Sequence, residues 1–252
     1  MKKLFLFSMA LLISASIFGQ RNDNSEYWNT WQYTPKEGMA QKFRDAAAEK
    51  TNKFNNTPEN AMATYRVITG RNTGSFLRVQ TNKKPADYDI DRSSEGEYWA
   101  ENVSKYVGRS HGHVRWQRLN NGSYNYDPAT AKPAKFVYRT MFDVKADRVT
   151  HFRRFMSRTA KIMEKRKYDG SRALFRVVSG GNRNMFVTGI PFNTFKQAPQ
   201  PEQEQSFRDD YDDLYGYNSF AEDLQNFTAS LEGWGEYRET LEFEPELSAG
   251  VN

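Results

Sequence analysis

The sequence predicts an α+β fold made of two tandem β-α-β-β-α-β units. Three observations carry this: a segment that recurs after 110 residues, amphipathic helices at equivalent places around each copy, and glycine-centred turns between paired strands. The recurring segments are TYRVITGRNTGSFLRV, Thr64–Val79, and LFRVVSGGNRNMFVTG, Leu174–Gly189. At a constant offset they match Arg66 with Arg176, Val67 with Val177, Gly70 with Gly180, Asn72 with Asn182 and Phe76 with Phe186. Each copy reads as a strand, a turn of Gly and Asn, and a second strand, which is a β-hairpin.

The flanking elements follow in order. An aromatic-rich extended segment opens each copy, Tyr27–Tyr33 and then Phe136–Phe142. An amphipathic helix comes next, with Met39, Phe43, Ala47 and Phe54 at helical spacing in the first copy and Val149, Phe152, Met156, Ile162 and Met163 in the second. After each hairpin a second helix is expected. Ser94 with Glu97, and Ser219 with Glu222, have the spacing of capping boxes. Extended runs, His113–Leu119 and Glu236–Phe243, close the two copies. Asn120–Lys135 reads as the linker, Lys196–Ser206 as a polar, Pro- and Gln-rich insertion, and Phe207–Tyr215 as a helix after it. The boundaries expected are a signal peptide over 1–19, a first repeat over 20–125 and a second over 126–252.

This order defines the ferredoxin-like unit. Apolar residues fall on both faces of the hairpin strands, so each sheet needs a cover on both sides. Helices supply one cover, and packing the two sheets face to face supplies the other and closes a barrel-like core. With the paired YRVITG and FRVVSG hairpins, this architecture resembles the dimeric α/β-barrel superfamily in a fused, pseudo-dimeric form covering most of Tyr27–Leu247. The superfamily includes antibiotic-biosynthesis-type monooxygenases, haem-degrading and haem-binding proteins, stress-response barrels and the NIPSNAP group. It has no shared active-site motif, so the resemblance carries no residue over.

Composition narrows the classes. The opening MKKLFLFSMALLISASIFGQ has a basic start, an apolar stretch and a small residue before Gln20, the pattern of an export signal, and places the mature chain in the periplasm or outside the cell. The apolar run is short for a bilayer span, and no later stretch is comparable. The absence of cysteine excludes disulfides, thiolate nucleophiles and thiolate metal sites. A net charge of +5, to which Lys2 and Lys3 contribute, is modest and argues against nucleic acid as a partner. A monomer with pseudo-two-fold repeats is expected.

The stretch GRSHGH, Gly108–His113, contains G-x-S-x-G, but a nucleophile elbow runs strand, turn, helix, whereas here a helix ends and a strand begins. Ser110 is therefore not expected to be a nucleophile, and Gly108 is expected as the left-handed end of the helix. His111 and His113 form an H-x-H pair with too few further ligands for a metal, and no metal is expected. Arg66 and Arg176 sit at equivalent positions in apolar strands and would form an anion clamp if they converge, or pair with carboxylates if they do not. A basic stripe of Arg154, Arg158, Lys161 and Lys165 either faces solvent or meets the acidic C-terminal region. The ligand-binding residues expected are Arg66, Arg176, His113, Trp116 and Tyr138, for a small apolar or anionic molecule. No catalytic residue is assigned, and no cofactor is expected, with haem through a histidine as the exception to weigh. The functional expectation is an exported, non-enzymatic ligand-binding or interaction protein. The alternative is a cofactor-independent or haem-dependent monooxygenase-like enzyme.

Overall fold

The structure, a computed structural model, describes residues 25–127, 130–196 and 201–251. The expected signal peptide lies outside the described residues. The first half contains β1 (Tyr27–Pro35), α1 (Ala40–Phe54), β2 (Ala63–Val67), β3 (Phe76–Lys83), α2 (Ser93–Asn102) and β4 (Val107–Arg118). The second contains β5 (Phe136–Val144), α3 (Val149–Lys165), β6 (Ala173–Ser179), β7 (Met185–Phe192), α4 (Phe207–Tyr215), α5 (Ser219–Ser230) and β8 (Leu231–Phe243).

The eight strands form one closed antiparallel barrel in the order β1-β3-β2-β8-β5-β7-β6-β4. The halves join at two seams. At one, β2 pairs β8 through Tyr65 opposite Phe243 and Val67 opposite Leu241; at the other, β4 pairs β6 through Trp116 opposite Val177. Closure leaves no free sheet edge.

Strand alternation then sorts the side chains into an interior and an outer, helix-covered layer. Inside, Trp116, Met141, Phe175, Val177 and Val187 pack with Trp28 and Tyr237, while Val67, Leu77, Val79 and Leu241 continue the core toward the first half. The barrel interior is thus filled by its own side chains. Outside, α1 lays Phe43 and Ala47 on Phe76 and Leu247, and α3 lays Phe152 and Met156 on Phe142, Leu174 and Phe186. Each buried phenylalanine contributes roughly 1.5–3 kcal/mol of transfer free energy.

The basic stripe of α3 turns toward the acidic C-terminal helices. Arg158 binds Asp223 of α5 at 2.6 Å, and Lys165 and Arg166 bind Asp210 of α4 at 2.7 and 2.5 Å. Tyr211 donates to the same Asp223 at 2.8 Å. Polar pairing therefore docks these two helices against a third.

Several local expectations change. Neither capping box forms: α2 starts at Ser93, whose backbone N–H is capped by Asp91, and α5 follows Asn218, with Asp212 of α4 accepting from the Phe220 N–H at 2.7 Å. Neighbours outside each helix provide what Ser94 and Ser219 were expected to provide. β4 begins at Val107, so GRSHGH lies within a strand. Gly108 is not left-handed. It is needed because a Cβ there would come within 3.1 Å of Lys36 Cα and Pro35 O, where β1 and β4 cross closely.

Candidate active site

Between the outer face of β1, β3 and β4 and the helices α1 and α2 lies a cavity of about 340 Å³. The sheet presents Asn29, Trp31 and Tyr33 from β1, Arg78 and Gln80 from β3 and His113 from β4. Opposite them α1 presents Lys50 and α2 presents Glu95 and Trp99, with Tyr88 and Arg92 from the preceding turn. Alternation explains the sheet side: Trp31, Arg78 and His113 occupy the parity that faces away from the barrel interior.

Aromatic rings make the walls. Trp31 stacks on His113 with centroids 4.5 Å apart and planes 11° apart, and Tyr33 packs on Trp99 at 4.7 Å. The guanidinium of Arg78 lies over the Trp99 ring at 4.9 Å. At the mouth Arg115 covers Tyr88 at 3.4 Å, and the Tyr88 hydroxyl donates to Asn29 Oδ1 at 3.2 Å.

Arg78 is 2% exposed, donates to Thr51 Oγ1, and leaves its buried Nε without a partner. Burial pulls its pKa down to about 10, so it stays charged at neutral pH. Lys50 is also buried; it donates to Asn55 Oδ1 at 2.8 Å and to Glu95 Oε1. Burial first, and the Arg78 charge second, push Lys50 down to about 8, against the opposing pull of Glu95. Lys83 donates to the backbone carbonyl of Glu59. On the lining, Lys50, Arg78, Lys83 and Arg92 stand against Glu95 and Asp87, so the cavity carries excess positive charge. Unpaired buried charge costs several kcal/mol unless a partner arrives.

His113 sits at the mouth. Partial burial and the Arg115 charge lower its pKa, keeping the imidazole neutral at neutral pH. Its Nε2 is 3.2 Å from Asn29 Oδ1. As a carbonyl oxygen can only accept, Nε2 carries the hydrogen and Nδ1 the lone pair.

Of the five residues expected to bind a ligand, only His113 lines this cavity. Arg66 and Arg176 stand on strands four places apart in the eight-strand ring and do not converge. Arg66 is paired with Glu242 at 2.5 Å and Glu244 at 3.1 Å, the carboxylate pairing weighed against a clamp. Arg176 lies near Arg153 and Arg183, and burial followed by those two charges lowers its pKa. Trp116 is in the barrel interior, donating to Thr30 Oγ1 at 2.8 Å, and Tyr138 stacks on Phe192 at 4.4 Å in the second half. Ser110 is exposed on β4, and the nearby His111 Nε2 is bonded to Thr34 Oγ1 at 2.9 Å. Among the described residues no group of three or more His, Asp or Glu side chains is arranged to hold a metal.

Sequence reasoning missed Arg78 and Lys50, and it left Trp31 and Trp99 outside the five residues expected to bind a ligand. One signal was present: at the offset that matches Phe76 with Phe186, Arg78 falls opposite Thr188, so a buried position is cationic in one copy only.

No protein-family model matches the chain, and no curated protein matches it in sequence. Solved structures do match over nearly their whole length. A putative monooxygenase from Lactobacillus acidophilus NCFM aligns with a TM-score of 0.54 and 12% identity over 90% of this chain and 96% of that one. Another from Fusobacterium nucleatum aligns at 0.56 and 10% over 87% and 92%. The chain has the dimeric α/β-barrel fold. A putative chlorite dismutase aligns on the same barrel at 0.52 and 9% over 88% and 96%. At this identity the likeness is one of fold. It nevertheless overturns the expectation of a non-enzymatic binding or interaction protein, since these dimeric α/β-barrel neighbours are named as enzymes.

The expectation of no cofactor does not stand on these comparisons either, and haem is the group to weigh against the residues present. It asks for a free imidazole Nε2, the ring nitrogen that stands clear of the backbone, facing a wide apolar slot. His113 is the one histidine on the cavity lining, its Nε2 is engaged, and Trp31 covers one ring face. Arg78, Lys50, Lys83, Arg92 and Glu95 put charged groups around the space. These residues do not fit haem.

Proposed function

We propose that the protein is a monooxygenase-like enzyme that oxidises a small organic substrate with molecular oxygen in the cavity between β1, β3, α1 and α2, without haem. The observation that carries this is Arg78, a buried cation with an unpartnered Nε beside a cavity walled by Trp31, Tyr33 and Trp99. Oxygenation without a cofactor requires the substrate to donate the electrons, so the substrate must form a stabilised carbanion. Neutral His113 accepts the proton at Nδ1 from an activated methylene, and Arg78 holds the negative oxygen that results. The carbanion adds oxygen, and the resulting hydroperoxide loses water to leave a carbonyl. In balance, one methylene group and one molecule of oxygen give one carbonyl group and one water, with no external reductant.

The same reading treats the halves as tandem ferredoxin-like copies packed as a pseudo-dimer, in which one copy kept or acquired the site. Export through the basic-apolar N-terminal segment belongs to the proposal as well, and the N-terminal mass of the protein recovered from its host tests it.

Oxygen uptake tests the chemistry. A panel of activated aromatic methylene compounds is expected to drive oxygen consumption by protein free of flavin, metal and haem. Arg78→Met is expected to lower kcat/KM by about a hundredfold, the size of losing one preorganised oxyanion partner. No uptake with any panel member, or uptake only after haem is added, overturns it.

A further inference from the structure

We propose that the seam between β4 and β6 carries a second binding site, for a small polycarboxylate, formed by Arg153, Arg176 and Arg183. None of the three lines the cavity, and the proposal does not rest on the oxygenase reading.

The two seams of the barrel make the case by contrast. Between β2 and β8, Arg66 stands directly opposite Glu242; between β6 and β4, the equivalent Arg176 stands directly opposite Gln117. The equivalence extends to the positions around them. Phe43 and Phe152 are each fully buried against a matched hairpin phenylalanine, Phe76 or Phe186, so Arg44 on α1 and Arg153 on α3 leave their helices at the same place. Glu244 and Glu246, two and four residues beyond Glu242, correspond to Leu119 and Asn121, two and four beyond Gln117.

At the first seam the chain neutralises itself. The Glu244 carboxylate takes Arg44 Nη1 at 2.6 Å and Arg66 Nε at 3.1 Å, while Glu242 takes Arg66 Nη2 at 2.5 Å and Glu246 takes Arg44 Nη2 at 3.4 Å. At the second seam each of those carboxylates is replaced. Gln117 donates to Ser25 Oγ at 3.1 Å, Leu119 packs into the apolar cluster under α3, and Asn121 carries no charge. Arg183, in the β6–β7 turn where the first copy has Thr73, adds a third cation, and Arg176 feels the charges of both Arg153 and Arg183. Among the described residues none of the three arginines bonds to a carboxylate. The Nε of Arg176 is enclosed, but its two Nη atoms, equally without partners, reach the surface. Like charges gathered without a counter-ion attract a multivalent anion, which bridges them by charge-assisted hydrogen bonds. The first seam shows which anion suits this geometry: several carboxylates, one of them shared between two guanidinium groups. A small molecule bearing two or three carboxylates brings to Arg153 and Arg176 what Glu242, Glu244 and Glu246 give to Arg44 and Arg66.

The experiment is a calorimetric titration of the protein with propane-1,2,3-tricarboxylate at neutral pH and low ionic strength, where screening is weak. Wild type is expected to bind it at least about tenfold more tightly than butyrate or inorganic phosphate at matched ionic strength. Arg153→Gln, a change at an exposed position, and Arg176→Gln are each expected to weaken the tricarboxylate by at least about tenfold, while Arg66→Gln at the neutralised seam leaves it unchanged. Gln117→Glu rebuilds the pairing of the first seam and is expected to abolish binding while raising the denaturant midpoint. No binding by wild type, equal affinity for butyrate or phosphate, or an unchanged affinity in Arg153→Gln overturns the inference, and these results decide it even if Arg176→Gln fails to fold. Binding that appears only in Asp23→Asn also overturns it, because the chain's own carboxylate, two residues before Ser25, would then be the partner of the arginines. Oxygen uptake with activated methylene compounds succeeds or fails independently of all these outcomes.

Discussion

The two halves of the barrel use the same elements in nearly the same order, yet their helix-covered layers are built differently. In the second, Phe152 of α3 contacts Phe186 at 4.6 Å, Phe142 at 5.3 Å and Phe227 at 5.5 Å, and rings pack between sheet and helices. In the first, the corresponding layer holds Phe43 and Phe76 at one end and opens into the cavity at the other, with Arg78, Lys50 and Glu95 where packing rings would serve stability. One half supports and the other receives. The second half packs its layer with rings, whereas the first leaves poorly satisfied charge around a cavity.

Core truncation should break the symmetry most. Phe152→Ala is expected to cost about 3–5 kcal/mol, seen as a large drop in the denaturant midpoint, because a fully buried ring leaves a cavity. Trp99→Ala, which widens an existing cavity beside a half-buried side chain, is expected to cost clearly less. Equal losses would remove the distinction between a packed and a receiving half.

The arginines come next. Arg172→Met should lose about 2–3 kcal/mol, since it strands the Gly122 and Met156 carbonyls and Thr159. Arg78→Met should be neutral or stabilising by about 1 kcal/mol, since it removes a buried cation with no carboxylate bonded to it. Chemical denaturation of the two variants side by side measures the difference, and a destabilised Arg78→Met would show that Arg78 is a structural residue like Arg172.

A smaller effect is expected in the pH dependence. Lys50 has a folded pKa of about 8 against an ordinary 10.5, so between those values the unfolded chain holds a proton that the folded one lacks. Stability must then rise with pH in that window, and its penalty is in full force below pH 8. Between pH 7 and 9 this group should add about 1 kcal/mol, and Lys50→Met should flatten that rise in a series of denaturation curves. The smallest change should come from Arg66→Met, which removes an exposed pair with Glu242 and a second contact with Glu244. It should shift stability by about 0.5–1 kcal/mol and leave oxygen uptake with activated methylene compounds untouched, because this seam arginine does not line the cavity.

Much of this was legible in the chain. The 110-residue recurrence, the helical spacing of Phe43 and Ala47 and of Phe152 and Met156, and the turns at Gly70 and Gly180 are local patterns, and local patterns survive in sequence. The residues that line the cavity largely were not. Arg66 and Arg176 drew attention because they match across the copies, but a matched residue marks the shared scaffold. Arg78 and Lys50 depart from the repeat, and departure was the better guide. Ser94 and Ser219 failed as caps because side chains from neighbouring segments, Asp91 and Asp212, reached the helix starts first.

By itself, the sequence determined the order of the elements, the parity of each strand and the presence of two comparable halves, because these follow from steric and hydrophobic periods read along a few residues. Tertiary structure alone decided that β2 meets β8 and β4 meets β6, that Arg66 finds Glu242 and Glu244, and that Trp31, Arg78, Lys50, Trp99 and His113 surround one space. Those five come from three strands and two helices up to 82 positions apart. Only closure of the sheet under its helices brings them into reach, and only burial turns an ordinary arginine into a cation in want of a partner.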